Sequence, residues 1–388
     1  MKLGWVDYSK EERNKIIHIL RNLRTHAAVD ELGIGTIRDA FSNLLFPGVS
    51  ILHTRAKYYV LIPYLFYDAK SESFKKNSDV RNWIEKQQDV LVKTLLTNSP
   101  PGTSGIIGGR LHQSGGSVKY KPSGTYWNGL KIWGIVRNLD ISLDTACAIV
   151  YEKAKKRKEL HLKIETENDG GDDKDNLYSN FELFEPIIPY YNYKSEATID
   201  LLFYEAELLI NQITNHPNTK DTLLSYLLKE KYLPPKFEEI KSNLLPPEIG
   251  KVVKQAQEVS DFIYGAHLLY NVIYSDETDL DIVSRFDQWL NHEYYPIDLD
   301  EVIAVTRCSH NTADFLKRFD RHIQDKNIQA AKKLLIQREK SIKGDRAKLT
   351  STEKNKYQGP IHAYKLYYRY PTVYQIVSDI LEGLNKHA

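Results

Sequence analysis

Cations crowd one short stretch near the end of the chain. In REKSIKGDRAKL, Arg338, Lys343, Arg346 and Lys348 surround Gly344. A glycine turn offers backbone N–H groups and arginine supplies a planar fork, so this composition suits phosphate oxygens. It would equally suit a solvated turn paired with Glu339, Asp345 and the acidic segment upstream. Arg369 follows among Tyr364, Tyr367, Tyr368 and Tyr370. Aromatics interleaved with charge are the pattern of a stacking surface for single strands or of a protein contact. Toward the other end, Arg38 and Arg55 fall near the starts of two expected helices. The helix dipole disfavours a cation there by about 0.3–1 kcal/mol. Each therefore needs an anion: Asp39, Asp30 or Glu31 in a structural network, or a phosphate. Arg338, Lys343, Arg346, Lys348, Arg369, Arg55 and Arg38 are the candidate nucleic-acid-binding residues.

Other chemistry fails on spacing. GIIGGRLHQSGGS has Arg110 after Gly109 where a phosphate loop needs Lys and then Ser or Thr, and no hydrophobic strand precedes it. Gly33 and Gly35 lack the third glycine and the βαβ context of a dinucleotide site. His161, Lys163 and Asp169 miss the phospholipase D pattern by one position, and no second copy exists. The acidic run 165–176 is out of register for an EF-hand. Cys308 and His310 are too isolated for zinc. There is no HExxH and no nucleophile elbow. His267 sits on an apolar helix and reads as a satisfied core histidine. No catalytic set, metal site or cofactor is expected.

Helices must position these residues. Val29 to Tyr67 is the organising stretch. Thr36 is a good N-cap for a helix to about Phe46, with Ile37, Ala40, Phe41, Leu44 and Leu45 at helical spacing. Pro47-Gly48 turns the chain. A second helix from Thr54 is so apolar that it should be central, with Pro63 kinking or dividing it. Ser9 and Glu12 resemble a capping box for a helix over 10–24. Val80 to Leu96 is amphipathic, with Trp83, Val90, Leu91 and Leu95 inward. Ser123 is the expected cap of TYWNGLKIWG, a short helix that a helix-turn-helix unit could contain, although many helical pairs look alike. Leu143 to Leu160 ends in KAKKRK, a basic face that suits a helix C-terminus and could extend a nucleic-acid surface. Glu248 to Tyr274 is long, and Gly265 and Ala266 suggest a close helix crossing. The spacing predicts further helices over 198–213, 220–230, 281–292, 311–323, 327–343 and 372–384. The expected fold is mainly α: an N-terminal helical domain over 1–164, an acidic linker over 165–178 and a C-terminal helical domain over 179–388.

Composition fits that picture. The chain of 388 residues exceeds one typical core, and 41% apolar with 27% charged residues is ordinary for a soluble protein. The first residues hold no apolar signal region and no run approaches a membrane span, so a cytoplasmic location is expected. Cys147 and Cys308 cannot build a disulfide framework. Net charge is only +2, but it is segregated. Nine acidic residues and one arginine fall between Asp276 and Glu301, and eleven Lys/Arg against three Asp/Glu between Lys332 and Arg369. The two segments could pair, or the second could face a polyanion.

The sequence also carries a resemblance. LGWVDYS, from Leu3 to Ser9, is followed by DELGIGTIRDAFSNLLFPG and TRAKYYVLIPYL. PSGTYWNGLKIWGI from Pro122, FIYGAHLLYN from Phe262, REKSIKGDRAKL and the terminal LYYRYPTVYQIVSDI come after. Along its whole length the chain resembles a bacterial family known only as a domain of unknown function. Its genes sit in phage-defence islands near helicases, phospholipase D-like proteins and DNA methyltransferases. The resemblance implies a setting and partners, namely helicase or nuclease subunits, without assigning an activity. With the charge pattern, it leads us to expect a non-catalytic accessory subunit of an antiviral defence system. Such a subunit would bind DNA or RNA, a protein partner, or both. A cryptic metal-dependent nuclease and a protein-only scaffold are the alternatives.

Overall fold

The computed structural model describes residues 30–112, 115–116, 118–165, 182–184, 191–350 and 357–386. The helix expected over 10–24, the phospholipase D-like spacing beyond 165 and all but the first residue of the acidic linker lie outside them. The described residues form fifteen α-helices and no strand. The fold is mainly α, with one isolated antiparallel bridge between Val136 and Phe184.

The chain divides into two compact units interleaved in sequence. One takes residues 1–41 and 254–366, the other 42–253 and 367–388. The expected boundary at 165–178 therefore falls inside the range of the second unit. Local sequence marks polar linkers, but a unit is defined by which apolar faces bury together.

Helix α1 (Gly35–Leu45) opens the described chain. Asp30 accepts hydrogen bonds from Leu32 N and Ile34 N and so folds the turn before it. In the larger unit, α2 (Tyr58–Ala69) buries all but Tyr67 and Asp68, which makes it the central helix its composition predicted. Pro63 lies inside α2 without dividing it. Around it come α3 (Asn77–Asn98), the single turn α4 (Gly109–His112), α5 (Pro122–Ile132) and α6 (Leu143–Glu165). α2 packs on α3, α5 and α6. α7 (Tyr193–Glu196), α8 (Phe203–Asn215) and α9 (Leu223–Lys229) follow. The last helix, α15 (Tyr370–Asn385), packs on α8 and α9. Gly383 permits the α15–α8 approach, since a Cβ there would lie 2.7 Å from the Ala206 methyl.

Two expected details differ. Pro122 rather than Thr125 begins α5, and Ser123 lies inside the helix, where its N–H and hydroxyl are held by the buried Gln88 amide. Proline is preorganised for a first helical position, so it takes the start from serine. Val90 on α3 is 51% exposed, while Val80, Ile84 and Gln88 line the inward stripe instead.

In the smaller unit, α10 (Pro247–Tyr274) is the long apolar helix, of which residues from 254 belong here. α11 (Leu280–Gln288) runs into a π-helical turn over Trp289–Glu293, and α12 (Leu299–Thr306), α13 (His310–Gln324) and α14 (Ile328–Lys343) complete the unit. Gly265 serves a different approach from the one expected. Its missing side chain admits the Trp289 indole, whose ring atoms would lie 2.1 Å from a Cβ. No helix among the described residues is long and apolar enough to cross a membrane.

Candidate nucleic-acid interface

The segment HTRAKYY, residues 53–59, carries more buried polarity than any stretch the sequence singled out. His53 is buried, and its Nε2 lies 3.1 Å from the Thr125 carbonyl, which can only accept. Its Nδ1 accepts from Ser50 N at 3.2 Å and lies 2.9 Å from the Tyr59 hydroxyl. The ring is therefore the neutral Nε2–H tautomer. Burial pushes its pKa down to about 4, despite the Thr125 contact. Tyr126 closes the turn, accepting from Thr54 N at 2.7 Å and donating to the Arg55 carbonyl.

Arg55 does meet anions, but from its own chain. Its Nε lies 2.9 Å from Asp379 on α15 and its Nη2 2.8 Å from Asp200. Burial opposes the charge, and the two carboxylates outweigh it and raise the guanidinium pKa. Asp379 also accepts from Ala56 N. Two residues on, Lys57 and Glu205 form a 2.6 Å ion pair with both side chains wholly buried. Burial lowers the Lys57 pKa, partly offset by Glu205. Arg55 thus follows the structural of its two readings. Arg38 is half exposed and lies 3.3 Å from Asp39, one of the partners its position suggested.

The REKSIKGDRAKL cations mostly face inward too. Arg338 donates to the Leu32 carbonyl at 2.9 Å and to the Thr312 hydroxyl, and stacks over Phe315. Lys343 is 2.6 Å and Lys348 3.7 Å from Glu31, a buried carboxylate. Lys348 also lies over the Tyr274 ring. His362 completes this group, with Nδ1 2.9 Å from Glu31 Oε2, although neither atom is aligned for a hydrogen bond. Burial opposes ionisation of Glu31, but His362 and Lys343 hold its carboxyl well below the usual range. Arg346 differs from its neighbours: it is exposed and has no ion-pair partner among the described residues. Arg369 donates to Asn43 and the Val49 carbonyl. Of the seven candidates, Arg338, Lys343 and Lys348 come together, and Arg55 and Arg369 each sit in a separate internal network.

His267 is a core histidine, 3% exposed, but not a satisfied one: neither ring nitrogen has a hydrogen-bond partner. Burial pushes its pKa down to about 4. Its ring lies 5.8 Å from that of His362. Despite these two histidines and Glu31, no group of His, Cys, Asp or Glu among the described residues could hold a metal ion.

A basic cleft of about 440 Å³ lies in the larger unit, lined by Tyr67, Lys70, Ser71, Lys153, Lys156, Arg157 and Glu182. The end of α2 supplies Tyr67, and the KAKKRK face of α6 supplies three cations. Glu182 is placed by its neighbours: Leu183 is fully buried and Phe184 packs on Phe66 and Trp127. The Glu182 carboxylate bridges Lys70 at 3.1 Å and Lys153 at 3.3 Å. Burial opposes its charge, and these lysines outweigh that and lower its pKa. Lys156 and Arg157 have no ion-pair partner among the described residues. Four cations thus line a cleft whose one carboxylate pairs with two of them. The basic run was visible in the sequence as a charged helix face. Its convergence with Tyr67, Lys70 and Glu182 was not, because those residues are far from it in the chain.

Comparison with known proteins adds one relationship. No curated protein and no solved structure matches the chain. A family model described as a family of unknown function, DUF6361, matches residues 1–285 of the 388. That span covers HTRAKYY, the basic cleft and most of the helices described above, and the chain belongs to the DUF6361 family.

Proposed function

We propose that the protein is a non-catalytic, nucleic-acid-binding subunit that engages phosphate backbones through the basic cleft of its larger unit. The observation that carries this reading is the convergence of Lys70, Lys153, Lys156 and Arg157 on one cleft whose lining holds a single carboxylate. Cations without an ion-pair partner, here Lys156 and Arg157, can neutralise phosphates with release of counterions, whereas cations already paired inside the fold gain little. Arg55, Arg338, Lys343, Lys348 and Arg369 are of the second kind. The genomic setting implied by the sequence resemblance favours a role beside helicase or nuclease subunits of a defence system.

The test is a salt-titrated binding assay with single- and double-stranded DNA and RNA, with and without magnesium, followed by a gel. Binding that weakens with salt while the strand stays intact is the expected result. Cleavage dependent on magnesium would replace this reading with a nuclease. Absence of binding at low salt would leave a protein scaffold.

A further inference from the structure

The cleft holds two features that a general polyanion surface does not need. The first is an aromatic ring at its rim. Tyr67 is 57% exposed, although the rest of α2 is almost entirely buried, and Lys70 Nζ lies 5.4 Å from the ring centroid over one face. A lysine in that position adds cation–π attraction to the ring. The second is the bridging carboxylate. Two lysines separated by more than 80 positions meet on the two oxygens of Glu182, Lys70 on Oε2 and Lys153 on Oε1. A tetrahedral phosphate offers the same pair of oxygens to two ammonium groups. Glu182 therefore marks where an anion is held, and it is half exposed, so a ligand can reach it. At about 440 Å³ the cleft falls in the roughly 300–1,000 Å³ range of sites that enclose small ligands. That is room for a base and its phosphate.

Resting on the reading that this cleft binds nucleic acid, we infer that its ligand is a single strand. One unpaired base stacks on Tyr67, and the adjoining phosphate displaces Glu182 from Lys70 and Lys153. Lys156 and Arg157 take a neighbouring phosphate. A base inside a duplex has both faces covered and cannot stack on a side chain, whereas sequence-tolerant binding of single strands combines an aromatic platform with a basic groove. Glu182 acts as a built-in competitor, which lets only a ligand that also stacks displace it.

Fluorescence anisotropy of the full chain with labelled oligothymidine and oligouridine, alone and as duplexes, tests this at one fixed salt concentration. Either single strand should bind at least tenfold more tightly than its duplex. Tyr67→Ala should weaken single-strand binding about tenfold, the scale of one lost base–aromatic stack, and Tyr67→Phe should restore it. Glu182→Gln should tighten binding severalfold, since it frees two lysines. Each variant is exposed at the changed position, and an unchanged thermal melt establishes that it folds. If Lys156→Ala with Arg157→Ala abolishes binding while Tyr67→Ala leaves it intact, the cleft reads backbone alone, and the single-strand inference is overturned with the nucleic-acid reading standing. Equal affinity for strand and duplex overturns it as well. Failure of every strand to bind overturns both.

Discussion

At the scale of single residues, most of the candidate cations are held by carboxylates, carbonyls or hydroxyls of their own chain. Arg55 is the clearest case. Its position at a helix start called for an anion, and the structure provides Asp379 and Asp200 rather than a ligand. Arg55→Ala would leave Asp379 charged and buried without its partner, so it should cost about 3–5 kcal/mol in urea unfolding. A single ammonium cannot span the two carboxylates that the guanidinium bridges, and Arg55→Lys should recover less than half of that loss. The histidines make a second prediction, with its sign fixed by burial. His53 and His267 fold with pKa values lowered to about 4 from the ordinary 6.5. The unfolded chain binds their protons first. Their contribution is therefore complete above about pH 6.5 and is lost as pH falls toward 4, by about 3 kcal/mol for each. Glu31, held low, adds to the same acid loss at more acidic pH. Melts from pH 7 to pH 4 should show the decline. His267→Leu should flatten it and be neutral or stabilising at pH 5, because it removes two unpaired polar atoms. A loss of more than about 2 kcal/mol at neutral pH would mean that those nitrogens have partners. The need for an anion at residue 55 was legible in the sequence. Its source, more than 300 positions away on α15, was not, since local spacing says nothing about long-range pairing.

At the scale of elements, period and punctuation read well and irregular geometry did not. The long α10 was expected over Glu248–Tyr274 and spans Pro247–Tyr274, because its apolar face repeats without interruption. α14 starts at Ile328 under the Asn327 cap, one residue from the expected position. α12 was missed: its eight residues sit in an acidic stretch where charge masks a short apolar face. The π-turn at Trp289–Glu293 was missed because an inserted residue leaves no mark on a 3.6-residue pattern. What fixes that turn is tertiary. Trp289 inserts against Gly265 and donates its indole N–H to the Asp261 carbonyl at 2.9 Å. Gly265→Ala must therefore push the indole out of its seat. A cost of about 1–3 kcal/mol is expected from overpacking, opposite in sign to the usual gain from alanine in a helix. Equal or higher melting temperature in that variant would show that the Trp289 ring is free to move.

At the scale of the molecule, a net charge of +2 conceals how the charges are spent. The acidic and basic segments pair in part, as Glu277 with Lys332 inside the smaller unit shows, and Arg338, Lys343 and Lys348 stabilise the fold. The helical class was legible from periodicity, but the division into units was not: residues 1–41 join 254–366 across more than 200 positions. The same limit hid the cleft, whose basic run could be seen and whose ring and carboxylate could not. On the proposed reading, Lys156 and Arg157 of this cleft, and not the internal cations, contact phosphate. The most direct measurement is the slope of log binding constant against log salt for a single strand, in the native protein and in Lys156→Ala with Arg157→Ala. Each lost phosphate contact should lower the slope by about 0.7, so this variant should lose roughly 1.4. A slope unchanged in the variant, or a native protein whose binding ignores salt, would contradict the claim.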